Sequence, residues 1–209
     1  MGATVICISG SDGSRADELA AAVGAALGFR VINEEITERA AAAAGVDRQT
    51  VEDVEQRKTT RAKILDLLAS SGGAHPGFLI ADPANQPSDE LRRLIRSAIE
   101  EFVAAGNVVI LAHAASQVLA GRDHVLRVLV AASAQTRSAR LADSSGIPAS
   151  KADALVKNGD AGRADYLKRF YGIDRELPTQ YDVVINTDNL TPEQGAAAVV
   201  HLATAVVTE

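Results

Sequence analysis

Five short apolar runs punctuate the chain: TVICIS (4–9), FRVIN (29–33), NVVILA (107–112), VLRVLVAA (125–132) and DVVINT (182–187). Their β-branched, nearly continuous apolarity is that of strands buried on both faces. Such strands need cover on two sides, and helical patterns lie between them. That alternation predicts an α/β fold with a mostly parallel sheet and helices on both faces. Leu19, Val23 and Leu27 recur every four residues. Leu91, Ile95, Ala98 and Phe102 form a second stripe, with Ser88 as N-cap and Gly106 as a stop. Thr191 and Gln194 predict a capping box around Pro192 at the first position of a last helix.

Two of the connections are long. Residues 34–106 hold helical patterns at 34–44, 47–70 and 88–105, split by SSGGAHPG (70–77) and ADPANQPSD (81–89). A second helical excursion runs over 134–177, breaks at Gly146-Ile147-Pro148 and ends near Tyr171-Gly172. The expected organisation is one domain over the 209 residues, carrying a helical insertion at 34–106 and a second at 134–177.

The stretch after the first strand carries the chemistry. Gly10-Ser11-Asp12-Gly13-Ser14-Arg15-Ala16-Asp17 leads from strand to an alanine-rich helix. A phosphate loop works by aiming successive backbone N–H groups at an anion from a helix N-terminus. Set against the pattern G-x-x-x-x-G-K-[ST], the first glycine is present and Gly13 is additional. Arg15 stands at the second glycine, Ala16 at the lysine and Asp17 at the hydroxyl. Arg15 takes a positive φ less readily than Gly, but it offers a cation one residue before the missing lysine. Ser11 and Ser14 offer hydroxyls, and Asp17 offers a metal ligand whose charge also repels phosphate. On these residues alone the segment is either a variant phosphate loop or an ordinary strand-to-helix turn.

Net charge of −6 gives no overall attraction to nucleic acid or to an anionic membrane, so an anion site must be local. Arg57, Lys58, Arg61 and Lys63, and then Arg92, Arg93 and Arg96, are clusters able to meet a monophosphate or to serve as solvated helix faces. Lys157, Arg163, Lys168 and Arg169 line the second excursion. Arg163 and Arg169 lie six residues apart, about 120° around a continuous helix, so they share a ligand only if the helix bends or the site straddles it. His75, His124 and His201 fall into no metal-ligand spacing. Cys7, the only cysteine, sits in a strand pattern as a packing residue and excludes an intrachain disulfide. No apolar run reaches the roughly 20 residues of a membrane span, and MGATVI has no signal-peptide pattern. The expected location is the cytoplasm, with the oligomeric state undetermined.

Over nearly its whole length the chain resembles the cytidylate kinase-like family of P-loop proteins, relatives of the nucleoside monophosphate kinases. The residues that carry the resemblance are ISGSDGSRADELA followed by LGFRVINEEIT, then GNVVILAHAASQVL, DAGRADYLKRFYGID and YDVVINTDNLTPEQGAAAVV. It implies a P-loop kinase fold: a five-stranded parallel sheet, a helical acceptor region after the second strand and a lid between the fourth and fifth. It also implies ATP and Mg²⁺, and a nucleotide or other small phosphorylated substrate. Gly10, Ser11, Asp12, Gly13, Ser14 and Arg15 are then the nucleotide-binding loop, Asp17 a metal ligand, and Arg163 and Arg169 the catalytic cations. Acceptor binding falls to His113, Arg92 and Arg96.

Three places depart from the family pattern. Arg15-Ala16-Asp17 replaces the G-G-R part of the loop, although many members also lack the loop lysine. Ala112-His113 stands where G-R-[GC]-A usually brings an arginine, and Asn33 stands where an acidic residue is common, with Glu34 and Glu35 following. The expected activity is transfer of phosphate from ATP to a small acceptor. The alternative is an inactive nucleotide-binding or protein-interaction module on the same fold.

Overall fold

The computed structural model describes residues 2–49, 51, 87–111 and 114–205. The chain forms two compact units, residues 1–32 with 105–209, and residues 33–104.

The first unit is built on a five-stranded sheet: β1 (Val5–Gly10), β2 (Arg30–Ile32), β3 (Val108–Leu111), β4 (Val125–Ala131) and β5 (Val183–Asn186). Every pairing is parallel and the order is β2-β3-β1-β4-β5. The central strand β1 has Val5 through Ser9 buried, as its two-faced apolarity requires. Helix α1 (Ala16–Leu27) lays Leu19, Ala20 and Val23 into the core beside Ile6, Ile8, Val109, Val128, Val130 and Ile185. Each fully buried aliphatic side chain there contributes about 1.5–3 kcal/mol. Leu27, the third residue of the predicted stripe, is only half-buried. Cys7 is buried in this core, and burial pushes its thiol up to about 12, with Arg127 opposing. It is an inert packing residue.

Apart from β1, which is as long as its run but displaced by one residue, the strands are shorter than the apolar runs that announced them. β2 stops at Ile32 because Asn33 turns into the next helix, and β5 stops at Asn186, where the Thr187 N–H still reaches Ala131 O at 2.8 Å. The last helix begins as the sequence predicts: the Thr191 N–H donates to Gln194 Oε1 (3.0 Å) and the Gln194 N–H to Thr191 Oγ1 (3.3 Å).

In the second unit, α2 (Glu34–Ala44) buries Ile36, Thr37, Ala40 and Ala41. The long helix α3 (Pro87–Ala105) buries Ile95, Ala98, Ile99 and Phe102. It starts at Pro87, ahead of the expected cap at Ser88; proline fits the first helical turn because its missing N–H is needed there least. Arg39 ties the two helices together, donating to Glu101 at 2.9 Å and lying over the Phe102 ring at 5.4 Å. Of the expected helix at 47–70, residues 48, 49 and 51 are helical and Val51 is buried. Its remainder from 52 on, the loops at 70–77 and 81–86, Arg57, Lys58, Arg61, Lys63 and His75 lie outside the described residues.

Between β3 and β4 runs the short α4 (Ala115–Val118). Between β4 and β5 lie α5 (Ala134–Ser145) and α6 (Ala149–Tyr171), separated at Gly146, whose φ is +61°. A bond from Ser138 Oγ to Asp153 and an ion pair from Arg137 to Asp160 pin these two helices together. The last helix is α7 (Pro192–Ala205).

Candidate phosphate-binding site

The carboxyl end of the central strand of an open parallel sheet is where such folds bind ligands, and here β1 delivers Gly10 into the loop. A Cβ at Gly10 would sit 2.6 Å from both Ser14 Oγ and the Ala16 Cβ, so the tight return of the chain requires glycine. Gly13 has φ +77°, and a Cβ there would meet Arg137 O at 2.7 Å. Arg15 has φ +63° and ψ +29°, a left-handed conformation for which a non-glycine residue costs about 1–2 kcal/mol. Arg15 therefore holds the backbone geometry that the usual pattern gives to glycine.

The loop leaves polar groups without protein partners. Ser14 is 1% exposed, yet its Oγ has no hydrogen-bond partner. The first turn of α1 has no side-chain cap, so its N–H groups, which lack intrahelical acceptors, face outward. A buried unsatisfied hydroxyl costs about 1–3 kcal/mol. An anion at the helix N-terminus would satisfy both deficits.

On its other side the loop is fully bonded. Three successive carbonyls each accept: Asp12 O from Arg137 Nη1 (3.4 Å), Gly13 O from Arg140 Nη1 (3.0 Å) and Ser14 O from Thr187 Oγ1 (2.9 Å). Arg137 is 6% exposed and pairs through both terminal nitrogens with Asp160, at 2.9 and 2.6 Å. Arg140 also donates to Thr187 Oγ1 (3.1 Å) and Thr187 O (2.5 Å). None of Arg137, Arg140 and Thr187 stood out in the sequence. One signal was present: two arginines three apart in the first turns after a strand share a helix face.

The side chains of the loop point differently from its backbone. Arg15 Nε lies 3.5 Å from Glu18 Oε1. Glu193 is held below the usual carboxylate range by its own backbone N–H, then by Thr191, with the Arg15 charge assisting. The guanidinium thus lies beside a carboxylate of α1, and its charge reaches Glu193 of α7. Asp12, Asp17 and Glu18 are exposed. Asp12 abuts Gly159 of α6, where a Cβ would come within 2.9 Å of its carboxylate. Among the described residues no cluster of three or more His, Cys, Asp or Glu is placed to hold a metal.

Of the cations expected in the second excursion, Arg163, Lys168 and Arg169 are engaged. Arg163 donates to Glu176 at 2.8 and 2.7 Å, and Tyr181 Oη donates to the same carboxylate. Burial works against the Arg163 charge, but Glu176 outweighs it and the guanidinium stays protonated. Burial also works to raise Glu176, and Arg163 with Tyr181 holds it low instead. Burial and the Glu176 charge push Tyr181 up to about 12. Tyr181 is hydrogen-bonded to Ser9, which meets Ser116 at 3.1 Å. A polar chain thus runs from α6 to the last residue before the loop.

Arg169 pairs with Asp165 at 2.7 Å and lies 4.6 Å over the Phe170 ring. Arg163 and Arg169 thus sit on one unbroken helix with separate partners. Lys168 pairs with Asp174 at 2.9 Å at the surface, and Lys157 is exposed. In the second unit Arg92 is half-buried and Arg96 exposed on α3. His113 lies outside the described residues.

A parallel sheet in this order, with a glycine-bearing loop between its central strand and a helix, defines a P-loop kinase fold. The chain belongs to the cytidylate kinase-like family, whose sequence profile matches residues 5–189. It is 28% identical over 151 residues to a cytidylate kinase of Sulfurisphaera tokodaii, a match that covers 66% of this chain and 83% of that protein. Among solved structures, an uncharacterized protein from Eubacterium ventriosum superposes with a TM-score of 0.66 at 12% identity, covering 94% of this chain and 96% of the other. A sugar kinase from Janibacter sp. does so with a TM-score of 0.52 at 16% identity, covering 99% of each. At those identities the likeness speaks for the fold alone. Family and fold together make this a kinase-like protein of the nucleotide and nucleoside class. No helix among the described residues is long and apolar enough to cross a membrane.

Proposed function

We propose that this chain transfers the γ-phosphoryl group of ATP to a small phosphate-bearing acceptor, a nucleoside monophosphate in the first instance. The observation that carries the reading is the loop: a buried, unpartnered Ser14 hydroxyl beside an uncapped helix N-terminus, in a backbone held at positive φ by Gly13 and Arg15. Such a loop is incomplete without an anion.

In the proposed reaction an acceptor phosphate oxygen attacks the γ-phosphorus. The bond to the β–γ bridging oxygen breaks, and ADP leaves with that oxygen. A phosphomonoester has its second pKa near 6, so the attacking oxygen is already ionised and no protein base is required. Catalysis then rests on positioning and charge. Gly10 through Arg15 would hold the donor phosphates through backbone N–H groups and the Ser14 hydroxyl. Mg²⁺ entering with the triphosphate needs only one or two protein oxygens. Asp17, exposed on the first turn of α1, is the residue proposed to supply one; the ion would neutralise phosphate charge. Arg163 and Arg169 would exchange Glu176 and Asp165 for phosphoryl oxygens, an exchange of one charge-assisted bond for another. Acceptor contacts are proposed for Arg92, Arg96 and His113, and the cytoplasm as the place of work.

One observation favours a second reading, nucleotide binding without turnover: both lid arginines already have carboxylate partners. Calorimetric titration with ATP, with and without Mg²⁺, followed by a screen of nucleoside monophosphates for ADP release, separates the two. Micromolar, Mg²⁺-sensitive binding with ADP release supports transfer. Binding without release selects the second reading. No binding at millimolar ATP sinks both.

A further inference from the structure

We infer that Thr187 and Arg140, on the side of the loop away from the ligand, are the positioning residues that aim its N–H groups at phosphate. The inference rests on the reading of the loop as a phosphate site. It adds a device built from the end of β5 and from α5.

The argument is one of peptide geometry. In a trans peptide the C=O of one residue and the N–H of the next point in opposite directions, and no described peptide is cis. The carbonyls of Asp12, Gly13 and Ser14 are all drawn to one side by Arg137, Arg140 and Thr187. The N–H groups of Gly13, Ser14 and Arg15 must therefore point to the other. The Ser14 N–H closes a turn onto Ser11 O at 3.0 Å, which leaves those of Gly13 and Arg15 for the ligand. Thr187 is 2% exposed; its hydroxyl accepts from Arg140 and has Ser14 O at 2.9 Å as the nearer acceptor for its single proton, with Ala131 O at 3.3 Å. Arg140 in turn bridges Gly13 O and Thr187 O. Arg137 has Asp160 as counter-ion, whereas the hydrogen bonds of Arg140 all go to neutral oxygens. Asp188 feels the Arg140 charge only at longer range. Arg140 therefore adds positive potential behind a loop that has no lysine.

The test is affinity at a temperature well below unfolding, with ATP and inorganic tripolyphosphate as separate probes. Thr187→Val keeps the shape and removes the donor; it is expected to weaken both probes by the same factor, about tenfold. Thr187→Ser restores the hydroxyl and is expected to bind within about threefold of the parent protein. A merely structural role would move the unfolding midpoint and leave affinity in the folded protein unchanged. Should Thr187→Val fail to fold, Arg140→Lys, which keeps the charge and loses the fork, is read by the same criterion. If the parent binds ATP and the variant binds within twofold of it, the positioning role is wrong and the phosphate-loop reading stands. If the parent binds neither probe at millimolar concentration, the loop reading fails and this inference falls with it.

Discussion

The turn after β1 and the turn after β5 are built for the same job, carrying the chain from a parallel strand into a helix, and they solve it in opposite ways. After β5, Thr187 is bonded, the Asp188 N–H donates to Asn186 Oδ1 at 2.9 Å, and the Asp188 carboxylate accepts from Ser133. Thr191 and Gln194 then cap the helix. After β1, two residues take positive φ, a buried hydroxyl has no partner, and the helix begins without a side-chain cap. One turn is complete within the protein. The other holds strain and leaves donors over. Stored strain at a fixed place in the fold is a reason to look for function there. The second turn also supports the first: Thr187 belongs to the complete turn and bonds the incomplete one.

The largest effect is expected from breaking the strained turn. Gly13→Ala adds a Cβ within 2.7 Å of Arg137 O at a φ of +77°. It should cost about 3 kcal/mol in chemical denaturation. It should also abolish ATP binding, because the loop must lift away from α5. Stability of the Gly13→Ala protein within about 1 kcal/mol of the parent, close to the range of ordinary surface changes, would show that the loop is not seated as described.

Next in size is the polar chain that reaches Ser9, immediately before the strained turn. Glu176→Gln keeps the shape but removes the charge that Arg163 and Tyr181 share, and should cost about 2 kcal/mol at neutral pH. The pH dependence has two limbs. The folded pKa of Glu176 is depressed, so its contribution is present above the ordinary carboxylate range and lost as pH falls through the folded value. Tyr181 is raised from 10.0 to about 12, so its contribution is full below pH 10 and lost as pH rises toward 12. Denaturation curves across pH should show a weaker acid limb in Glu176→Gln, with Asp174, Asp188 and Glu193 as the residual acid contribution, and a weaker alkaline one in Tyr181→Phe. Cys7, raised from 9.0 to about 12 by burial, remains as the residual alkaline contribution. Unchanged limbs in both variants would mean that these polar contacts carry no stability.

How much of this was legible follows the same contrast. The complete turn announced itself: Thr191, Pro192 and Gln194 are local signals, and a capping box needs nothing from elsewhere in the chain. The five strands were legible as apolar runs, although only β1 and β3 are buried on both faces: β4 alternates, and β2 and β5 expose Arg30 and Val184. The α5–α6 break was marked by Gly146 and Pro148. The loop was legible as a glycine-bearing turn, but what holds it was not. Asp12 and Arg137 are 125 residues apart, Gly13 and Arg140 127, and Ser14 and Thr187 173. Only the sheet order, which places β4 and β5 on one side of β1, brings them together. SAQTRSAR reads as a solvated helix face until that order is known. Arg163 was singled out for its charge, but its spacing of 13 from Glu176 follows no helical rule that would have exposed the pairing.

A smaller effect tests the complete turn by itself. Thr191→Ala removes the cap of α7 and should cost about 1 kcal/mol, while leaving ATP affinity unchanged because no loop carbonyl depends on it. A loss of affinity there would mean that the two turns communicate through α7 rather than through Thr187.

The smallest effect is the one that decides what Arg15 does. Its backbone sits where glycine is comfortable, and its guanidinium faces Glu18 at 3.5 Å on an exposed surface. Such a pair contributes roughly 0–1 kcal/mol. Arg15→Gly relieves strain at the low end of about 1–2 kcal/mol, the left-handed region being a small but allowed well for L-residues, and gives back about 0.4–1 kcal/mol through the freer unfolded chain. Stability should therefore change by less than about 1 kcal/mol, toward greater stability, whereas Arg15→Ala, which keeps a Cβ at the same φ, should gain nothing. Nucleotide affinity separates the backbone from the side chain. If the N–H of residue 15 is what meets phosphate, Arg15→Gly and Arg15→Ala both bind ATP within about threefold of the parent. If the guanidinium leaves Glu18 to meet phosphate, both lose about tenfold or more, and Arg15 takes over, from one residue earlier, the task of the lysine this loop lacks.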